Sequence, residues 1–152
     1  MTDQSLTDIY NYLQLSEQVA TAGQPTAEQF VAIRDAGFKL VINLALPTST
    51  NALANEAQIV EKLGMTYIHI PVDWENPQIQ AAEQFFNVMQ AHADQPVFVH
   101  CAANMRVSVF MYLYRTLYQG IDKNLAQQDL HQIWTPNETW QNLITTMTQQ
   151  HS

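Results

Sequence analysis

Val97-Phe-Val-His-Cys-Ala-Ala-Asn-Met-Arg-Val-Ser108 is the stretch on which the reading of this chain turns. Its first four residues are too few for a helix and too apolar for a surface strand, which predicts a strand buried on both faces. From Val107 onward, Phe110, Met111, Tyr114 and Tyr118 recur at helical spacing until Gly120 ends the pattern. Strand therefore passes into helix through a short loop that begins with the chain's single cysteine, Cys101. At such a junction the backbone N–H groups of Ala102, Ala103, Asn104, Met105, Arg106 and Val107 converge, and the positive end of the helix dipole reinforces them. A phosphate- or sulfate-like anion fits that nest, and the Arg106 guanidinium adds a planar fork of donors.

Cysteines at helix N-termini and beside cations are the ones that react as thiolates. Taken alone, a cysteine at the end of an apolar strand is more often a small core residue. Its place at a strand-to-helix junction, with an arginine a few residues on, turns the reading of Cys101 to a nucleophile. His100 has two readings of equal weight: it orients the loop by hydrogen bonding, or it fills the strand end.

Outward from this stretch, strands and helices alternate. Gln18–Gly23 reads as a brief strand, and Pro25-Thr26 opens a helix in which Thr26 caps and Gln29 reaches back, closed by Gly37. Lys39–Ala45 is a continuous apolar, β-branched run, again the mark of a doubly buried strand. Leu53, Ala57 and Val60 then recur at helical spacing up to Gly64, and Met65–Ile70 supplies a further strand. Pro71–Gln78 is a loop carrying Asp73, Trp74 and Glu75. Ile79, Ala82, Phe86 and Met89 form one helix face, and Leu125–Trp134 and Glu138–Gln149 make two more helices, the second capped by Asn137. All four glycines fall to turns or helix ends. The expected architecture is a single α/β domain over residues 1–152, with a central, mostly parallel sheet flanked by helices. Ligands of such sheets bind beyond the carboxyl ends of the strands.

Composition narrows the function. The chain has 152 residues, six Lys+Arg against fourteen Asp+Glu, and a net charge of −8. A chain of this size buries roughly 70% of its unfolded surface, so it needs no disulfide or structural metal. Scattered basic residues give no stripe for nucleic acid and no polybasic patch for lipid, so neither nucleic acid nor membrane is expected as a partner. Met1–Gln14 holds Asp3 and Asp8, no Lys or Arg and no apolar run, which predicts no secretory leader and a cytoplasmic location. His69, His92 and His131 share no ligand spacing, and Asp-Trp-Glu alone is too few ligands, so neither metal nor cofactor is expected.

The sequence His100-Cys101, a short loop, Arg106, then Ser108 resembles the signature of cysteine-dependent protein tyrosine and dual-specificity phosphatases. Ala22-Gly-Gln-Pro25 and Val41-Ile-Asn-Leu44 resemble the opening of a bacterial branch related to the beta-lactamase hydrolase-like proteins. Ile133-Trp-Thr-Pro-Asn-Glu-Thr-Trp140 is similar to that branch's C-terminal helices, so the likeness covers most of the chain. It implies a dual-specificity-phosphatase-like fold and hydrolysis of phosphate monoesters on a phosphorylated small molecule or phosphoprotein. It also implies Cys101 as nucleophile, the loop and Arg106 as phosphate-binding groups, and an acid loop at Ile70–Pro77. The departure is length: four residues separate Cys101 from Arg106, where the family places five. Either the loop is one residue shorter with Arg106 still on phosphate, or Ser108 keeps its place and Val107 stands where the arginine belongs.

Asp73 is the expected general acid because it follows Pro71 on a loop between a strand end and a helix; Glu75 is its reserve, and a turn aspartate the plain alternative. Ser108 is expected either to hydrogen-bond the sulfur or to serve as a helix-entry serine. Trp74 is expected to wall the pocket or to pack, whereas Trp134, Trp140 and tyrosines 112, 114 and 118 read as core or interhelical contacts. Two other functions stay open. A six-residue Cys-to-Arg loop also resembles that of rhodanese-type sulfurtransferases, and a loop that holds phosphate without turnover would make a phosphate- or phosphoprotein-binding module.

Overall fold

Five strands and six helices follow one another along residues 6–151, the part of the chain that the computed structural model describes. They are β1 (Leu13–Gln14), β2 (Val19–Ala22), α1 (Ala27–Asp35), β3 (Leu40–Asn43), α2 (Glu56–Lys62), β4 (Thr66–His69), α3 (Ile79–Ala91), β5 (Val97–His100), α4 (Met105–Leu117), α5 (Lys123–Ile133) and α6 (Glu138–Gln150). The opening residues 1–5, on which part of the leader reading rests, lie outside the described residues.

The sheet order is β1-β2-β5-β3-β4, parallel throughout except for β1, which pairs antiparallel with β2. Strand β5 is central, and Ala22 of β2 and Asn43 of β3 both lie opposite its last residue, His100. The chemistry-bearing loop thus leaves the carboxyl end of the middle strand. Because side chains alternate along a strand, Val97 and Val99 join Leu40 and Ile42 in the core under α3, α4 and α6. Phe98 joins Ala20, Ala22 and Val41 on the opposite face, against α1 and α2. Both halves of β5 are buried, which is why the segment carries no polar alternation.

Helix α1 begins with the expected capping box: Thr26 Oγ1 accepts from Gln29 N at 3.2 Å, and Gln29 Oε1 accepts from Thr26 N at 2.9 Å. Asn137 Oδ1 caps α6 at Trp140 N. Three details differ from the sequence reading. Strand β1 is two residues long, too short to show a period of two. Helix α2 starts at Glu56, not Leu53, because Ala54 and Asn55 first make a turn closed by Glu56 N donating to Leu53 O at 3.3 Å. Gly23 does not serve a turn: a Cβ there would lie 2.8 Å from the Ala102 carbonyl oxygen and 2.7 Å from Tyr10 Cδ2, so the position requires close backbone approach to the loop.

Phe98 has no solvent exposure and meets Phe38 edge-on at 5.6 Å. Phe98→Ala is expected to lower stability by about 3–5 kcal/mol, read as a reduced urea midpoint at unchanged slope.

Candidate active site

Alternation at the end of β5 sends His100 and Cys101 to opposite faces. Cys101, 1% exposed, packs with the core on the α4 side. His100, fully buried, turns toward α1 and α2, where Phe30 meets it edge-on at 5.9 Å. Its Nε2 lies 2.6 Å from Glu56 Oε2, and its Nδ1 lies 3.2 Å from the Cys101 carbonyl oxygen. Glu56 is itself 4% exposed, and its Oε1 accepts from Gln24 Nε2 at 2.8 Å.

The loop is fixed from its outer side. The Ala102 carbonyl accepts from Gln24 N (3.2 Å) and Asn51 Nδ2 (3.1 Å). That of Ala103 accepts from Asn11 Nδ2 (2.9 Å), and that of Met105 from Ser108 Oγ (2.7 Å) and Trp134 Nε1 (3.1 Å). In a planar trans peptide the carbonyl and the following N–H point in opposite directions. Carbonyls held outward therefore turn the N–H groups inward, and those of Ala102, Ala103, Met105, Arg106 and Val107 meet no acceptor among the described residues. An inward cluster of N–H groups at the start of a helix holds an anion.

Asn104 makes the reversal possible. It adopts a left-handed conformation, φ 64°, at the N-cap of α4, and its Nδ2 donates to Asn11 O (2.8 Å) and Thr21 Oγ1 (3.0 Å). Asparagine is among the few non-glycine residues that adopt this conformation readily.

Arg106 extends from the first turn of α4 to the acid loop. Its Nη1 donates to Val72 O at 3.0 Å, and its guanidinium lies 5.9 Å from the Trp74 ring centre. Its other guanidinium nitrogens have no protein acceptor among the described residues and keep contact with solvent. Val107 is wholly buried in the core, so of the two alignments only Arg106 offers donors at the loop. Asp73 follows Val72 directly; it is exposed, and its Oδ1 accepts from Glu75 N at 3.0 Å. Glu75 is exposed on the same turn. Trp74 packs against Trp134 and Trp140 at 5.1 and 5.7 Å, and Trp140 Nε1 donates to Trp74 O at 2.9 Å. Ser108 spends its proton on Met105 O and accepts from Trp134 Nε1 at 3.0 Å, rather than turning to sulfur.

Residues outside the signature hold this arrangement: Gln24, Asn11, Asn51 and Glu56. Glu56 had a legible sign. It stands three residues after Leu53 and four before Val60, so it lies on the apolar stripe of its helix, where a carboxylate needs a partner.

Residues 4–145 match the family described as PTP-NADK, DSP-PTPase phosphatase fused to NAD+ kinase. The chain belongs to this phosphatase family. A structure from Shewanella putrefaciens CN-32 named "Putative phosphatase (DUF442)" superposes on this family member with a TM-score of 0.89 at 37% identity, covering 98% of each chain. A beta-lactamase hydrolase-like protein of Agrobacterium fabrum (strain C58 / ATCC 33970) is 30% identical over 123 residues, 78% of this chain and 27% of that protein. The chain thus spans about a quarter of that curated relative. The fold is also that of kinase associated phosphatase, whose structure carries a serine in place of its catalytic-site cysteine (TM-score 0.79, 12% identity, 93% and 96% covered). The α/β architecture expected from the sequence is therefore the dual-specificity phosphatase architecture. Among the described residues of this family member, no helix is long and apolar enough to cross a membrane.

Two predictions follow from the loop and its surroundings. Asn104→Ala keeps the left-handed backbone but loses both side-chain donations. It should cost roughly 2–4 kcal/mol in chemical unfolding, and Asn104→Gly should cost less. Beyond Glu56, burial pushes the Tyr67 phenol up from 10.0 to about 12, against a 3.1 Å hydrogen bond from Asn43 Nδ2 that lowers it, with Glu56 adding to the rise. A raised folded value favours the neutral phenol. Its stabilisation is complete below pH 10 and disappears as pH rises through about 12. Absorbance at 295 nm should show a late ionising phase that Tyr67→Phe removes.

Proposed function

We propose that this protein hydrolyses phosphate monoesters through a covalent cysteinyl-phosphate. The observation that carries the reading is the set of N–H groups without acceptors that follows Cys101 at the carboxyl end of the central strand. The cysteine of kinase associated phosphatase named as catalytic supports the same assignment. The Cys101 thiolate attacks phosphorus as the bond to the ester oxygen breaks. Asp73, or Glu75 in its place, gives that oxygen a proton. The N–H groups from Ala102 to Val107, with Arg106, stabilise the charge on the phosphoryl oxygens. Water then cleaves the S–P bond, releasing phosphate and restoring the thiolate. His100 and Ser108 shape the loop, and Trp74 walls the pocket beside Arg106. Residues 1–152 act as one domain, in the cytoplasm, on phosphotyrosine, phosphoserine or small phosphoesters, carried by a small molecule or phosphoprotein.

A second reading, sulfur transfer, is favoured by the six-residue span from Cys101 to Arg106. Cys101 would then take the outer sulfur of thiosulfate as a persulfide, releasing sulfite, and pass it to cyanide as thiocyanate. A loop that binds phosphate without turnover is the non-catalytic form of the same nest.

Phosphate release from an aryl phosphate tests all three. Wild-type turnover should vanish in Cys101→Ser, and Asp73→Asn should lose about 10²–10⁴-fold with poor leaving groups. No phosphate release, with thiocyanate formed from thiosulfate and cyanide, would establish sulfur transfer. Neither turnover, with phosphate still bound by Cys101→Ser, would make the loop a binding module.

A further inference from the structure

We infer that Glu56 is a positioning residue for the nucleophile loop, acting through His100. Four hydrogen bonds and the Cys101–Ala102 backbone form a closed ring. Gln24 Nε2 donates to Glu56 Oε1, and Glu56 Oε2 faces His100 Nε2 at 2.6 Å. His100 Nδ1 faces the Cys101 carbonyl, and the next carbonyl along, Ala102, accepts from Gln24 N. The ring thus returns to the residue where it began. Gln24 is itself held, because its Nε2 also donates to Pro25 O at 2.9 Å.

The protons can be assigned from the partners. A carbonyl oxygen only accepts, so Nδ1 carries a hydrogen and donates it to Cys101 O. On the other side His100 Nε2 and Glu56 Oε2 share a hydrogen bond of 2.6 Å, so the ring is held at both nitrogens. The pair is buried, with 0% and 4% side-chain exposure. Phe30 meets the His100 ring edge-on, and the Tyr67 phenol interacts with Glu56.

The consequence reaches the anion nest through peptide geometry. With the Cys101 carbonyl held outward by His100, the Ala102 N–H must point inward; with the Ala102 carbonyl held by Gln24, the Ala103 N–H must do so too. These are the first two donors after the nucleophile. If Glu56 is lost, nothing holds His100 at Nε2, and the ring can turn and release the Cys101 carbonyl. The peptide can then turn and withdraw a donor from the nest. Glutamine can keep the ring: its carbonyl accepts from Gln24, and its amide donates to a neutral His100 Nε2 while Nδ1 still donates to Cys101. The inference rests on the phosphatase reading only in that the nest holds a tetrahedral oxyanion.

Tungstate titration of wild type, Glu56→Gln and Glu56→Ala tests it, together with ¹⁵N spectra of the His100 ring at pH 7. The expected result is a wild-type ring that carries a hydrogen on Nδ1. Glu56→Ala should bind tungstate about tenfold more weakly or worse, as the loss of one donor implies, while Glu56→Gln stays within about threefold. Glu56→Ala binding as tightly as wild type, or a wild-type His100 with a bare Nδ1, would overturn it. Should the alanine variant fail to fold, the wild-type ring spectrum decides alone. Wild-type protein that binds no tungstate counts against the phosphatase reading, and the ring spectrum still decides on Glu56.

Discussion

Everything at the site depends on holding a run of peptide carbonyls away from the point where the helix begins. Inward N–H groups without acceptors are costly wherever water is scarce. The loop tolerates them because its carbonyls are engaged on the other side, by Gln24, Asn11, Asn51, Ser108 and Trp134. These partners come from the N-terminal segment, the β2–α1 and β3–α2 connections, α4 and the C-cap of α5. The loop is therefore not a local motif laid on a finished scaffold. Its shape is the place where both faces of the sheet and the chain's N-terminal segment come together, and an anion that satisfies the N–H groups stabilises all of them at once.

Much of this was legible in the sequence, and what was not has a physical reason. The strand-to-helix junction is visible because Val97–Val99 and Val107–Tyr118 differ in period while Cys101 and Arg106 lie between them. The capping residues Thr26 and Asn137 announce their helices by local chemistry alone. By contrast, Asn11 and Asn51 act on loop carbonyls 92 and 51 residues away, and nothing in their own neighbourhoods shows it. Gly23 looks like a turn glycine and is instead a contact glycine, a distinction set by what lies across from it. Strand β1 escapes notice because two residues carry no period.

The aromatic cluster connects the loop from Cys101 to Arg106 with the loop that carries Asp73 and Trp74. Trp134 touches both: its indole N–H is shared between Met105 O and Ser108 Oγ, and its ring packs on Trp74. Trp140, fully buried, reaches Trp74 by ring contact and by its N–H to the Trp74 carbonyl. The C-terminal helices thus hold the relation between two loops that lie far apart in sequence. Aromatic pairs of this kind contribute about 0.5–1.5 kcal/mol each beyond area burial, comparable to a capping interaction and enough to bias a loop's position.

This has a consequence for Asp73. The carbonyl before it, Val72, is held by Arg106, and the carbonyl after it, Trp74, is held by Trp140. The backbone at Asp73 is pinned on both sides, and its side chain, turned to Glu75 N, is the part left able to rotate. Arg106 performs two tasks from the first turn of α4, fastening the acid loop with Nη1 while its remaining donors stay free for an anion. With four residues between Cys101 and Arg106, the arginine still reaches both loops. The guanidinium joins acid loop and nest, and a bound oxyanion would strengthen that connection instead of competing with it.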